Sequence, residues 1–254
     1  MPRNIKLTIE YDGTDFKGWQ VQARGSRTVQ GEIEKALKTI FKETVRVIGS
    51  GRTDSGVHAL DQVAHCQTRS SLPTSDIQRA LNANLPEDIA ILKVEDVKKD
   101  FHAQYSPKSK VYRYTILNRS YRCAHERKFC LHYPHKLNLS RMRQEAKALV
   151  GKKDFKSFQA SDPRKPLHKR GSTIRHIKQV TIRKKNDFIT IDIEADGFLY
   201  KMVRNIVGTL LDVGTGKIPK GSIKKILAQK NRMFASTTAK ALGLTLYRVN
   251  YPKN

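Results

Sequence analysis

One stretch of the chain concentrates reactive side chains. Gly49-Ser50-Gly51-Arg52-Thr53-Asp54-Ser55-Gly56-Val57-His58-Ala59 sets an arginine, an aspartate and a histidine in a glycine-rich turn. The flanking residues 45–48 and 62–68 read as strands, so the turn is a loop projected from a sheet. An aspartate there admits two readings. It can close an Asx turn on its own backbone. It can also be a carboxylate displayed by a rigid scaffold, a setting rich in catalytic groups. Arg52 beside it would hold that carboxylate ionised and could take a phosphate; alternatively it is a surface loop arginine. His58 reads as a structural member of the turn rather than a general base.

Other chemistry-bearing patterns fall away. Cys123, His125, Cys130, His132 and His135 cluster in sequence, but the two cysteines are seven residues apart. Structural zinc sites usually open with cysteines two to four apart, so no metal is expected. Gly49-Ser50-Gly51 lacks the third glycine of a dinucleotide loop. Gly214-Thr215-Gly216-Lys217 lacks the upstream glycine and the following Ser/Thr of a P-loop. NAD and ATP dependence are therefore unsupported. Three cysteines, an odd number in a chain of 254 residues, suggest reduced thiols and a cytosolic setting. The opening Met1-Pro2-Arg3-Asn4-Ile5-Lys6-Leu7 lacks the apolar run of a secretory signal. Residues 198–213 are interrupted by Lys201, Arg204 and Asp212, so no simple membrane span is expected.

Charge narrows the partner. The chain carries 49 Lys+Arg against 23 Asp+Glu, a formal net charge of +26. Residues 1–100 hold 15 basic and 14 acidic side chains, and residues 101–254 hold the other 34 and 9. A surface that basic attracts polyanions through its long-range field and counterion release. Within residues 152–185 there are 12 Lys/Arg, among them Lys165, Lys169 and Arg170, against Asp154 and Asp162. That density beside an expected sheet favours RNA over a merely solvated insertion. Membrane binding is disfavoured, because no basic amphipathic helix with aromatic anchors is present.

The elements that must position these groups follow from periodicity. Residues 6–10 alternate and stop at Asp12-Gly13, a strand closed by a turn. Thr28 caps a helix whose apolar residues are Val29, Ile33, Leu37, Ile40 and Phe41. Strands at 45–48 and 62–68, a helix capped by Thr74 or Ser75, and a strand at 89–94 complete a β-α-β-β-α-β unit. The second half repeats the order: a strand at 111–117, a helix capped by Ser140 and ending at Gly151, strands at 173–182 and 188–195, an amphipathic helix from Leu199 to Leu211, a short helix at 222–229 and a last strand at 244–249. The expectation is an α+β protein of two ferredoxin-like halves, 1–104 and a basic 105–254, whose central antiparallel sheets form a cleft.

These residues resemble the tRNA pseudouridine synthase A family. The Asp54 loop is similar to that family's catalytic motif. Glu10-Tyr11-Asp12-Gly13-Thr14, Gly18-Trp19-Gln20 and Thr28-Val29-Gln30 fit, as do Asn82-Ala83-Asn84-Leu85-Pro86, Phe101-His102-Ala103 and Lys110-Val111-Tyr112-Arg113-Tyr114. Met202-Val203-Arg204-Asn205-Ile206-Val207-Gly208 and Thr238-Ala239-Lys240-Ala241 with Gly243-Leu244 complete the match. Gln104 stands where the family usually has arginine, which removes one expected backbone or phosphate contact and no catalytic group.

The resemblance implies cofactor-free isomerisation of uridine to pseudouridine in the anticodon stem-loop of tRNA, in the cytoplasm, by a homodimer. It implies that Asp54 is the essential carboxylate, acting either at C1′ or on a ribose proton. Tyr112 would stack on the uracil, and Arg204 would pair with the catalytic aspartate. Arg52 would sit by the target nucleotide and help displace it; Lys110, Arg113, Lys165, Lys169 and Arg170 are further candidates for RNA contact. By pattern alone, Tyr112 reads equally as a core aromatic, and Arg204 falls at the edge of an apolar stripe, where a half-buried guanidinium fits. A target uridine must leave its stack, at a cost of a few kcal/mol, before C1′ and C5 can be reached. With Asp54 in the neutral half and Tyr112 and Arg204 in the basic half, the expected site is the cleft between them. The competing reading is a non-catalytic RNA-binding protein on the same fold.

Overall fold

The computed structural model describes residues 2–22, 25–161 and 171–252. Lys165, Lys169 and Arg170 lie outside the described residues. The described chain is a mixed α+β protein with five α-helices and mostly antiparallel strands. It divides into two compact units, Met1–Lys108 with Thr245–Asn254, and Ser109–Leu244.

The first unit begins with β1 (Arg3–Tyr11), whose Ile5, Leu7, Ile9 and Tyr11 alternate into the core. α1 (Val29–Phe41) starts at Thr28, whose side-chain oxygen accepts the Gly31 N–H at 3.3 Å. Val29, Ile33 and Leu37 form its buried stripe. β2 is only Ile48–Gly49, shorter than the expected 45–48. The reason is tertiary: α1 takes the hydrogen bonds of Val47 that a ladder would use. Gln30 Nε2 donates to the Val47 carbonyl at 3.1 Å, and the Val47 N–H donates to the Glu34 carboxylate at 2.9 Å.

β3 (His58–Thr68), α2 (Thr74–Asn84) and β4 (Ile89–Val97) follow. Neither Thr74 nor Ser75 caps α2. Pro73 does, through its backbone carbonyl, which accepts the N–H groups of Asp76 and Ile77 at 3.0 Å each. β1 lies between β3 and β4 and runs antiparallel to both, with Leu7 opposite Ala64 and Val94. β2 pairs antiparallel with the far edge of β3 at Ala64 and His65.

The second unit contains β5 (Ser109–Leu117), β6 (Leu131–His132), α3 (Leu139–Ala146), β7 (Gly151–Asp154), β8 (Ile174–Lys185), β9 (Phe188–Ala195), α4 (Met202–Thr215) and α5 (Ser222–Gln229). β5, β9, β8 and β7 pair antiparallel in that order, and β6 adds to β5 in parallel. On β9, Ile189, Ile191, Ile193 and Ala195 are fully buried, the face that alternation marks out. Two expectations change. α3 is capped by Asn138, whose Oδ1 accepts the Arg141 N–H at 3.0 Å, so Ser140 lies inside the helix. The helix gives way to a 3-10 turn, Lys147–Leu149, before Gly151.

The last strand, β10 (Leu244–Asn250), belongs with the first unit rather than closing the second half. β2 leaves part of the β3 edge uncovered. There Thr245 and Leu246 pair in parallel with His58 and Ala59, and the Val249 N–H donates to Asp61 at 2.9 Å.

α5 starts on a left-handed Gly221 with no side-chain cap of its own. Glu145 of α3 supplies one across space: its buried carboxylate accepts the Gly221 N–H at 2.6 Å and the Ile223 N–H at 3.2 Å. A negative group at a helix N-terminus also complements the helix dipole. Glu145→Ala strands both donors and should cost about 1–3 kcal/mol in urea unfolding; a midpoint equal to wild type would contradict that cap.

Candidate active site

The Asp54 loop leaves the first unit's sheet at β2 and re-enters it at β3. Its backbone is fastened on both sides. The Ser50 N–H donates to the Val63 carbonyl at 2.7 Å. Buried Gln62 accepts from the Ser50 hydroxyl at 2.8 Å and donates to the Gly51 carbonyl at 2.9 Å. At the crest, the Thr53 carbonyl accepts the Trp19 N–H at 3.1 Å, and the Asp54 carbonyl accepts the Val57 N–H at 3.1 Å. The Ser55 hydroxyl donates to the Phe16 carbonyl at 3.1 Å.

The Thr53 side chain points into the core and shares a 2.8 Å hydrogen bond with the Tyr11 hydroxyl. Burial pushes the Tyr11 phenol up to about 12, so that bond keeps its proton throughout the neutral range. Neighbouring residues 52 and 54 are left towards the outside: Arg52 is exposed and Asp54 half-buried. A carboxylate on a loop this constrained can serve as nucleophile or base with little reorganisation.

Two glycines make the arrangement possible. Gly18 has φ +96°, and a Cβ there would lie 2.6 Å from the Thr53 carbonyl oxygen. A Cβ on Gly49 would lie 2.6 Å from the indole of Trp19, itself fully buried. His58 takes the structural role expected of it. Its buried Nδ1 lies 3.0 Å from the Gly13 amide and 3.1 Å from the Asp12 carboxylate.

In the second unit, β5 carries three candidates on two faces. Lys110 and Tyr112 share one face with Tyr114, while Arg113 points to the other. Tyr112 is buried and meets Phe198 edge to face, with centroids 5.0 Å apart at 86°. Burial lowers the Lys110 amine from its ordinary 10.5 to about 8. Arg113 makes a two-pronged ion pair with Asp192, directly opposite on β9, at 2.7 and 2.9 Å; Arg183 reaches the same carboxylate at 3.1 Å.

Arg204 sits in the first turn of α4, half-buried as its place on the stripe suggests. Its Nε donates to the Ala239 carbonyl at 2.7 Å, and its own carbonyl accepts the Ala239 N–H at 3.1 Å. Next to it, the Tyr114 hydroxyl donates to the Lys240 carbonyl at 2.8 Å. Burial raises the Tyr114 phenol well above its ordinary value, with positive Arg204 opposing that shift. Thr238 is held in turn by Asn205 at 2.6 Å and by Arg232 at 3.3 Å. The 238–240 segment is thus gripped by α4 and β5 together.

Several of these supporting groups carry no signal of their own in the sequence. Phe198 stands in an apolar run that reads as helix stripe, and Arg232 and Gln62 lie in segments with no motif. Thr53 and Tyr11 each stand inside a quoted motif, but nothing in the sequence pairs them.

A family model described as tRNA pseudouridine synthase matches residues 7–106 and 146–252. The tRNA pseudouridine synthase A of Thermoanaerobacter sp. (strain X514) is 45% identical over 249 residues, covering 98% of this chain and all of its own. The tRNA pseudouridine synthase A 2 of Clostridium perfringens (strain 13 / Type A) is likewise 45% identical with the same coverage. The Bacillus pumilus (strain SAFR-032) tRNA pseudouridine synthase A is 43% identical, covering 97% of this chain and 98% of its own. Likeness at this level over nearly the whole length of the chain shows that it belongs to the tRNA pseudouridine synthase family.

Proposed function

We propose that the protein isomerises uridine to pseudouridine in the anticodon stem-loop of tRNA, with Asp54 as the essential carboxylate. The observation that carries the reading is the Asp54 loop, its backbone fixed by Gln62, Val63, Trp19 and Phe16 while the carboxylate is left half-exposed. The reaction breaks C1′–N1 and forms C1′–C5; the C5 proton is lost and N1 gains one. Nothing is oxidised or reduced, so the balance calls for no cofactor. Asp54 either bonds C1′ as the uracil leaves or removes a ribose proton to give a glycal. Tyr112, packed edge to face against Phe198, offers a flat ring for the detached uracil. Arg204 is assigned the cationic role that the family resemblance implies. Arg52, exposed beside Asp54, suits the nucleotide displaced from its stack. Lys110 and the basic segment holding Lys165, Lys169 and Arg170 would serve phosphates.

The family resemblance extends the reading to a homodimer working in the cytoplasm; among the described residues no helix is long and apolar enough to cross a membrane. Both units are read as elaborated ferredoxin-like folds. Support in the first unit is the β-α-β-β-α-β order of its first six elements, with strands arranged β4-β1-β3-β2.

Tritium release from C5-labelled uridine in tRNA tests the activity. Wild type should release tritium, and Asp54→Asn should slow release at least about a thousandfold, the scale on which an essential nucleophile acts. Absence of release from wild type on all tRNAs would favour the non-catalytic RNA-binding reading. Release undiminished in Asp54→Asn would remove Asp54 from the mechanism. Arg204→Leu should abolish turnover while tRNA affinity stays within about threefold of wild type.

Lys110 supplies a pH test. Its folded value lies below its unfolded one, so between about pH 8 and 10.5 the unfolded chain binds more protons and stability rises with pH. Below that window the lysine is charged in both states and its contribution is flat. The stability difference between wild type and Lys110→Met, from urea unfolding, should therefore shift in favour of wild type as pH rises from 8 to 10. A constant difference would contradict the burial of the amine.

A further inference from the structure

The segment between β5 and α3 falls outside the stretches matched by the family model and has no part in the reaction described above. Its base is tied shut. Asn118 Nδ2 donates to the carbonyls of Tyr133 and His135, both at 2.8 Å, and the Asn118 N–H donates to the Asp187 carbonyl at 2.7 Å. Its interior is bonded to itself: Cys130 Sγ donates to the Glu126 carbonyl at 3.2 Å, and Arg127 Nη1 donates to the Ala124 carbonyl at 2.7 Å. It is a compact, self-packed loop rather than a loose connection.

Near its start, the Arg119 guanidinium lies over the Tyr121 ring at 4.1 Å. Arg119 is itself fixed, with Nε donating to the Tyr121 carbonyl at 3.0 Å and Nη1 to Asp187 at 3.2 Å. Tyr121 is 64% exposed, so one ring face is backed by the guanidinium and the other meets solvent. In the same loop Arg122, Arg127, Lys128 and Phe129 are exposed. Glu126 is the one acidic residue in 118–135, and it lies 3.1 Å from His125. Exposed rings interleaved with arginine and lysine suit unpaired nucleotides, whose bases stack on aromatic faces while cations hold the backbone.

We propose that the 118–135 loop is an RNA-binding platform, on which one unpaired base stacks against the outer face of Tyr121 while Arg122, Arg127 and Lys128 hold the flanking phosphates. The proposal rests on the reading of tRNA as substrate and adds to it a contact remote in sequence from the Asp54 loop. An anionic lipid surface is the less suited partner, since the loop has no amphipathic helix to lay in a headgroup layer.

The test measures the Kd of an unmodified tRNA transcript, with kcat and the melting temperature, for the full-length protein. Tyr121→Ala should weaken binding about tenfold, the scale of one lost base stack. Its melting temperature should not change. Tyr121→Phe should bind within about twofold of wild type. Replacing Arg122, Arg127 and Lys128 together by Ala should lower the slope of log affinity against log salt by about two to three. Unchanged affinity in Tyr121→Ala, or an equal loss in Tyr121→Phe, would overturn the platform. So would wild-type binding to phosphatidylserine vesicles that Tyr121→Ala abolishes while tRNA affinity holds. The two readings fail separately. Wild-type turnover with no effect at Tyr121 removes the platform alone, while a Tyr121 effect on binding without turnover removes the catalytic reading and leaves the platform.

Discussion

Close backbone approach between two loops of the first unit is the constraint on which the candidate active site depends. The Thr53 carbonyl must come within hydrogen-bond distance of the Trp19 amide, with Gly18 beneath it at a positive φ and Gly49 against the Trp19 indole. Each contact leaves no room for a Cβ. Once the loops are locked, Thr53 turns inward to Tyr11, with Arg52 left exposed and Asp54 half-buried. The candidate aspartate is therefore oriented by its neighbour's burial. A catalytic group placed this way needs little reorganisation when substrate arrives, and a 1 Å displacement is costly in rate.

The second unit solves a different problem, holding positive charge next to apolar structure. Arg204 emerges from a helix whose other side is core, and it stays half-buried because its Nε finds the Ala239 carbonyl. Arg113 is neutralised by Asp192 across the sheet, on the face of β5 opposite Tyr112. That pairing gives Arg113 a role within the sheet. Lys110 shares the Tyr112 face and bears the cost of burial in a lowered amine value. Net charge alone would treat all these cations alike, yet their surroundings differ: Arg113 is paired, Arg204 is half-buried on a carbonyl, and Lys110 is desolvated.

How much was legible in advance follows the range of the forces involved. The Thr28 cap and the alternating face of residues 188–195 depend on neighbours in sequence, and both are found where periodicity places them. The Asp54 loop was legible because a Gly-rich turn between strands is a local pattern. What escaped was decided at a distance. Residues 45–47 alternate like a strand, but Val47 gives its bonds to Gln30 and Glu34 of α1. Asn138 displaces Ser140 as the cap of α3, a choice between two good capping residues that composition does not settle. The last strand has an ordinary strand pattern, which says nothing of whether it will seek the open edge of β3. β6 and β7 are too short to show any period.

The central claim, that contact between the two loops fixes the carboxylate, is tested most directly at Gly18. Gly18→Ala adds one methyl group that would press on the Thr53 carbonyl and disfavour the φ of +96°, without touching Asp54, Tyr112 or Arg204 as side chains. The measurement is single-turnover tritium release together with tRNA affinity in the folded variant. The account predicts a rate lower by about a hundredfold, on the scale of a small misplacement of a catalytic group, with affinity within about threefold of wild type. A folded Gly18→Ala variant that turns over at the wild-type rate would contradict it.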